Sequence, residues 1–328
     1  MFKIAIDLMG GDYNSRVPIK GIEHFVKSNP KKSIFFYLVG KEKDILENLD
    51  QNILDKNYKI IDTDEFVEMS DNPVKVIKQK PNSSMLIALK LLKEKKVNAM
   101  ITCGNTGALI LSSTVLIKKI SGVKKVILAP KIPNKYGSFI LADAGANINL
   151  SPLNFINMAE LCSIYSSITN GNNNPSVHLL NIGHEESKGT PILVDAYQAL
   201  SKKHPNFKGN LEPRYLMDKK IDILLCDGFV GNIVLKLTEG LSHYLLNILK
   251  EKSENRFIED IKNLKNIFNY ELSTILLGLN GIVLKCHGSS SYKSFTHAIN
   301  EAEKMYKLRL INRINNFFKG IETKWKQL

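Results

Sequence analysis

Short apolar runs recur along the chain, and each gives way to a loop of small polar residues. The runs are Ile4-Ala5-Ile6, Ala99-Met100-Ile101, Phe139-Ile140-Leu141, residues 177–180, Ile223-Leu224-Leu225 and Ile282-Val283-Leu284. The loops behind them include Gly10-Gly11-Asp12, Gly104-Asn105-Thr106-Gly107, residues 143–147, 181–189, 227–232 and 287–291. Amphipathic segments follow most of these loops and predict helices near 17–28, 83–96, 105–118, 151–168, 190–203, 229–251 and 291–316. The runs are continuous rather than alternating, which predicts strands covered on both faces. Strands that alternate with helices predict a parallel-rich α/β/α sandwich. In open sheets of this class, ligands bind where the strand ends gather, so the row of polar loops is the expected binding crevice.

Two helical segments carry further expectations. Residues 229–251 place Ile233, Leu237, Leu241, Tyr244, Leu245 and Ile248 at three- and four-residue steps, which predicts a core-facing stripe. Residues 250–272 are rich in Lys, Asn and Glu, with Phe257, Ile258, Ile261, Leu264, Ile267 and Phe268 on one face. That pattern fits a helix lying on the core, or a projecting amphipathic hairpin that meets a membrane or a partner.

Composition narrows the class. The 328 residues, 44% hydrophobic and 23% charged, suit a globular protein with a large core, expected as a single domain with a projecting helical segment at about 243–278. No apolar run is long enough for a spanning helix, and the N-terminus runs straight into a strand, so a cytoplasmic location is expected. Four scattered cysteines, with no CxxC pair, argue against a zinc site and a disulfide framework and predict small buried side chains. The net charge of +13 suits an acidic partner, and equally a solvated basic surface.

The loops hold the candidate chemistry. Gly104-Asn105-Thr106-Gly107 opens a helix, where backbone amides can meet an anion. No GxGxxG follows the first strand and no GxxxxGK[ST] occurs, so neither standard nucleotide site is supported. Asp7 and Asp12 read as acceptors that fix their loop, with a cation as the minor alternative. Lys188 sits in a loop bounded by Gly183 and Gly189, where it can hold an oxyanion or stand exposed. Asn232 begins a long helix, as an amide facing the crevice or as an N-cap or first-turn residue. Ser289, Ser290 and Ser291 with His287 suit a phosphate; a Ser/His/Asp hydrolase lacks its G-x-S-x-G elbow here.

In order and spacing, six stretches together resemble the bacterial phosphate acyltransferase (PlsX) family of phospholipid synthesis. They are Asp7-Leu8-Met9-Gly10-Gly11-Asp12, Ser83-Ser84-Met85 with Gly104-Asn105-Thr106-Gly107-Ala108-Leu109, Asp143-Ala144-Gly145-Ala146-Asn147, residues 180–189, residues 226–232 and His287-Gly288-Ser289-Ser290. The resemblance implies acyl transfer from acyl-acyl carrier protein to inorganic phosphate, giving an acyl phosphate, with no cofactor and no metal. It implies a fold like the isocitrate/isopropylmalate dehydrogenases and phosphotransacetylase, and a homodimer. It also implies possible peripheral membrane contact beside a downstream membrane glycerol-3-phosphate acyltransferase, and no nucleic acid. By the same resemblance Lys188 and Asn232 are catalytic. The implied substrate-binding residues are Asp7, Gly10, Gly11, Asp12, Gly104, Asn105, Thr106, Gly107, Asn147, His287, Ser289 and Ser290. The chain departs from the family pattern at Leu86, where arginine is usual, near Lys125, where another arginine is usual, and at Cys286. A dehydrogenase on the same sheet architecture and a non-enzymatic adaptor are the alternative classes.

Overall fold

The computed structural model describes residues 1–11, 15–252, 273–288 and 290–326. The chain divides into two compact units, Met1–Val126 with Glu271–Leu328, and Ile127–Tyr270.

The first unit contains β1 (Phe2–Asp7), β2 (Ile34–Gly40), β3 (Tyr58–Asp62), β4 (Ala99–Thr102), β11 (Thr274–Leu277) and β12 (Ile282–Lys285), in the spatial order β3-β2-β1-β4-β12-β11. All the pairings from β3 to β12 are parallel, and β11 runs antiparallel to β12. The register Ile4↔Ala99 and Lys285↔Thr102 brings the ends of β1, β4 and β12 to one edge. Consecutive residues Ile4, Ala5, Ile6 and Asp7 are all buried. Successive strand side chains point to opposite faces, so both faces are covered, as the unbroken apolar runs predict. Helices Arg16–Ser28 and Tyr292–Lys307 pack together, and Gly21 allows it: a Cβ there would lie 2.5 Å from the Phe295 Cβ.

The second unit contains β5 (Ile127–Ala129), β6 (Lys131–Asn134), β7 (Gly137–Ala142), β8 (Val177–Leu180), β9 (Phe207–Leu211) and β10 (Ile223–Leu225). Its five-stranded sheet has the order β6-β7-β10-β8-β9, with β10 parallel to both neighbours at Ile223↔Ile140 and Ile223↔Val177. The loops after β7, β10 and β8 therefore leave from one edge. Helix Pro152–Asn170 has Pro152 in its first turn, and Asn154 Oδ1 accepts from the Ser151 N–H at 3.0 Å. It ends on Gly171 in the left-handed conformation, φ 70°.

All six expected strands are present, and the parallel-rich α/β class holds. Two helical expectations are corrected. The helix expected over 291–316 is two, Tyr292–Lys307 and Leu310–Lys326, because Arg309 adopts a positive φ of 52° between them. The turn lets the buried stripe restart at Leu310, Ile314 and Phe318. The second correction concerns helix Gly228–Lys252, whose expected core stripe faces outward. Ile233 is 51% exposed, Leu237 60%, Leu241 51% and Tyr244 62%. The opposite side carries Gly231 and Ser242, both buried, with the Ser242 hydroxyl donating to the Thr238 carbonyl at 2.7 Å. Of the segment 243–278, residues 243–252 continue this helix and Thr274–Leu277 is the buried strand β11; 253–272 lie outside the described residues.

Candidate functional site

At the edge of the first unit, Asp7 ends β1 and is buried. The Thr102 hydroxyl donates to its Oδ2 at 2.6 Å, and the Met9 N–H donates to its Oδ1 at 3.1 Å. Burial raises the Asp7 pKa, against those hydrogen bonds and the charge of Lys285. The Gly104 N–H donates back to the Thr102 Oγ1 at 2.9 Å, so that amide is committed within the protein. A Cβ on Gly10 would lie 2.6 Å from the Gly104 nitrogen, so the first two strand-end loops touch through bare backbone. Asn105 caps helix Thr106–Leu116: its Oδ1 accepts from the Ala108 N–H at 3.0 Å, and its Nδ2 donates to the Met69 carbonyl at 3.0 Å. Among the described residues, no group accepts from the N–H of Thr106 or Gly107, leaving first-turn donors for an anion.

Lys285 was not singled out from the sequence. It ends β12, is 9% exposed, and donates to the carbonyls of Cys103 at 3.1 Å and Cys286 at 2.6 Å. The signal available was a lysine directly following the apolar run Ile282-Val283-Leu284. His287 is exposed, while Gly288 and Ser290 are buried. All four cysteines are free and buried, as expected. The Cys103 thiol is pushed upward by its hydrogen bond with Cys286 and by burial. Asp12 and Ser289 lie outside the described residues.

At the edge of the second unit, Asp143 collects donors. Its Oδ1 accepts from the N–H groups of Leu128 at 2.9 Å and Ala146 at 3.1 Å; its Oδ2 accepts from the Asn147 N–H at 2.7 Å and Nδ2 at 2.8 Å. Asn147 is thus tied to its own loop, and its carbonyl accepts from the Gly228 N–H at 2.6 Å. Burial raises the Asp143 pKa against these bonds. The Ala142–Asp143 peptide is cis. The N-cap of the long helix is Asp227, whose Oδ1 accepts from Phe229 at 2.9 Å and Val230 at 3.0 Å. Asn232, one turn further on, is therefore free of capping duty. It is exposed, its amide has no partner among the described residues, and it faces Gly145 at about 4 Å from that glycine's Cβ direction.

The loop after β8 presents Lys188. Asn181 Nδ2 donates to the Lys188 carbonyl at 2.9 Å, Asn181 Oδ1 accepts from the Ile182 N–H at 2.9 Å, and Asn210 Nδ2 donates to the Glu185 carbonyl at 2.8 Å. Both asparagines are buried. Gly189 has φ 94°, and a Cβ there would lie 2.6 Å from Asn181 Oδ1. The Lys188 stem lies over Gly183, and its ammonium is exposed with no partner among the described residues. Thus the second unit presents Lys188 from the loop after β8 and Asn232 from the helix after β10, its parallel neighbour, and the first presents amides of the 104–107 loop. Among the described residues, no group of three His, Cys, Asp or Glu is placed to hold a metal, and no helix is long and apolar enough to cross a membrane.

A family model described as fatty acid synthesis protein matches residues 2–313. A phosphate acyltransferase of Caldicellulosiruptor saccharolyticus is 38% identical over 317 residues, covering 93% of this chain and 94% of that protein. One of Caldicellulosiruptor bescii is 39% identical over 318 residues, with the same coverage of 93% and 94%. Among solved structures, a phosphotransacetylase from Streptococcus pyogenes superposes with a TM-score of 0.60 at 15% identity, covering 93% of this chain and 94% of that one. A 4-hydroxythreonine-4-phosphate dehydrogenase described as putative, from Salmonella typhimurium, does so with a TM-score of 0.53 at 13% identity, covering 93% and 99%. These two likenesses place the fold among the dehydrogenase-like α/β proteins. With loops, strand order and near-full-length relatives in agreement, the chain belongs to the phosphate acyltransferase (PlsX) family of fatty acid and phospholipid synthesis.

Proposed function

We propose that this chain moves a fatty acyl group from acyl-acyl carrier protein to inorganic phosphate, giving an acyl phosphate and free carrier protein. The observation that carries this reading is the pair of uncommitted donors, the Lys188 ammonium and the Asn232 amide, in the loop and the helix that follow the neighbouring parallel strands β8 and β10. Phosphate is already anionic at neutral pH, so it needs positioning rather than a strong base. That accords with a pair of sites built from amides and a lysine. Positioning lowers the barrier by several kcal/mol. In the proposed step a phosphate oxygen attacks the thioester carbonyl carbon and the carbonyl becomes an oxyanion. The C–S bond then breaks, and the carrier thiolate takes a proton from water. In the second unit, Lys188 meets the anionic charge and Asn232 donates to the oxyanion; in the first, the amides of Thr106 and Gly107 are the donors suited to an anion. His287 and Ser290 are assigned to the phosphate side. Asp7, Asn105 and Asn147 act by fixing the loops, since their side chains are spent on protein groups.

Loss of either donor is expected to reduce kcat by about 100- to 1,000-fold, the usual consequence of removing one fixed oxyanion donor. Lys188→Ala and Asn232→Ala should show that loss with an unchanged melting temperature. Full turnover in either variant removes that residue from the mechanism.

The net charge of +13 suits electrostatic steering of an acidic carrier protein. Homodimerisation and a peripheral membrane contact, close to the glycerol-3-phosphate acyltransferase that would consume the product, belong to the same proposal. Their support is the outward apolar row on helix Gly228–Lys252, where Phe229, Ile233, Leu237, Leu241 and Leu245 repeat every fourth residue.

A further inference from the structure

We propose that Lys285 is a positioning residue for phosphate: its ammonium ties together the main chain at the roots of the 104–107 and 287–290 loops. The inference rests on the phosphate-binding role proposed above for those loops. Lys285 is the last residue of β12 and lies opposite Thr102, the last residue of β4. Its Nζ donates to the Cys103 carbonyl, one residue before Gly104, and to the Cys286 carbonyl, one residue before His287. One charged group therefore bridges the exits of two neighbouring strands.

A buried ammonium is costly unless its protons are taken up and its charge is balanced. In the first unit the Cys103 and Cys286 carbonyls accept two hydrogen bonds from it, at 3.1 and 2.6 Å. The Lys285 charge also favours the ionised form of Asp7, against the burial that raises the Asp7 pKa. Asp7 is in turn fixed by the Thr102 hydroxyl, and that hydroxyl accepts from the Gly104 N–H. The 104–107 loop is thus held twice, through Thr102 at Gly104 and through Lys285 at Cys103. A methionine would fill the same space with apolar atoms but could make neither carbonyl bond. What the ammonium adds is a fixed separation between two loops. Misplacement of a bound group by about 1 Å costs roughly 100-fold in rate, so that separation bears on how phosphate is held.

The test uses the full chain with Lys285→Met and Lys285→Arg. In amide hydrogen exchange without substrates, the peptides covering 100–110 and 283–292 are expected to exchange about tenfold faster in Lys285→Met, with the remaining peptides unchanged. In turnover with acyl-acyl carrier protein and inorganic phosphate, the KM for phosphate is expected to rise about tenfold while the KM for the acyl carrier stays within about twofold. Lys285→Arg, which keeps charge and donors, should restore most of both. The clamp is overturned if exchange at the two loops is unchanged, if acceleration spreads across the chain, or if both KM values rise together. If Lys285→Met does not fold, Lys285→Gln is held to the same two readouts. A wild-type chain with no phosphate-dependent turnover would overturn the reaction reading, and exchange alone would then decide the clamp.

Discussion

Gly10 shows how little room the first unit leaves at its strand ends. A methyl group there would meet the Gly104 nitrogen at 2.6 Å and the Asp7 Oδ2 at 2.9 Å, and neither neighbour is a flexible chain end. Gly10→Ala must push the two loops apart. It is expected to lower stability by about 1–3 kcal/mol and to raise the KM for phosphate, as checked by urea unfolding and steady-state kinetics. Asn181 plays the matching part in the second unit, where it bonds the Lys188 carbonyl and the Ile182 N–H. Asn181→Ala leaves the Lys188 side chain intact but frees its loop. A fall in kcat of about tenfold is expected, since loss of placement rather than of charge is the cost. Equal turnover in wild type and variant would show that Lys188 is held by other means.

At the scale of elements, helix Gly228–Lys252 shows what periodicity tells and what it does not. A four-residue repeat marks one face of a helix, but either face can turn inward. Here the small and hydroxyl side chains Gly231, Thr238 and Ser242 lie on the inner side, and their hydroxyls bond back to the helix carbonyls. The apolar row is left outside. The proposed homodimer predicts that the wild-type chain sediments at twice the monomer mass and that Leu237→Glu with Leu241→Glu sediments as a monomer with the fold retained; a monomeric wild type, or an unchanged mass in the variant, would contradict a dimer contact on this row. Strand β8 carries a second prediction. Burial, aided by the charges of Lys219 and Lys208 and opposed by Asp222, pushes His178 down to about 4 from its ordinary 6.5. The folded chain keeps this imidazole neutral while the unfolded chain protonates it. Its contribution is therefore full above pH 6.5 and is lost as pH falls toward 4. Between pH 6.5 and 5 that amounts to about 2 kcal/mol. Urea midpoints at pH 7 and 5 should fall more in wild type than in His178→Leu, and parallel falls would contradict the assignment.

Across the whole molecule, strands that end in small polar loops were legible from the sequence because apolar continuity and loop composition agree there. Strand β2 (Ile34–Gly40) escaped that pattern because it ends in Lys41-Glu42, a charged turn rather than a small polar one. Edge strands β3 and β9 escaped because half-exposed positions interrupt their apolar character. For the site, residue type singled out Lys188 and Asn232. Their freedom from internal partners depends on Asn181, Asn210 and Asp227, whose pairings are long-range or turn on cap geometry. Lys285 escaped because its partners are main-chain carbonyls, which leave no mark in side-chain identity. The charge of +13 gives one expectation at this scale: kcat/KM for acyl-acyl carrier protein should fall steeply as salt is raised, with kcat nearly constant.

The central claim is the reaction itself, and one measurement addresses it directly. Purified chain is incubated with acyl-acyl carrier protein and radiolabelled inorganic phosphate, and free carrier protein and labelled acyl phosphate are quantified together. The expected result is release of the carrier protein only when phosphate is present, with one acyl phosphate formed for each carrier freed. Release that does not depend on phosphate, or phosphate-dependent release without labelled acyl phosphate, would contradict it.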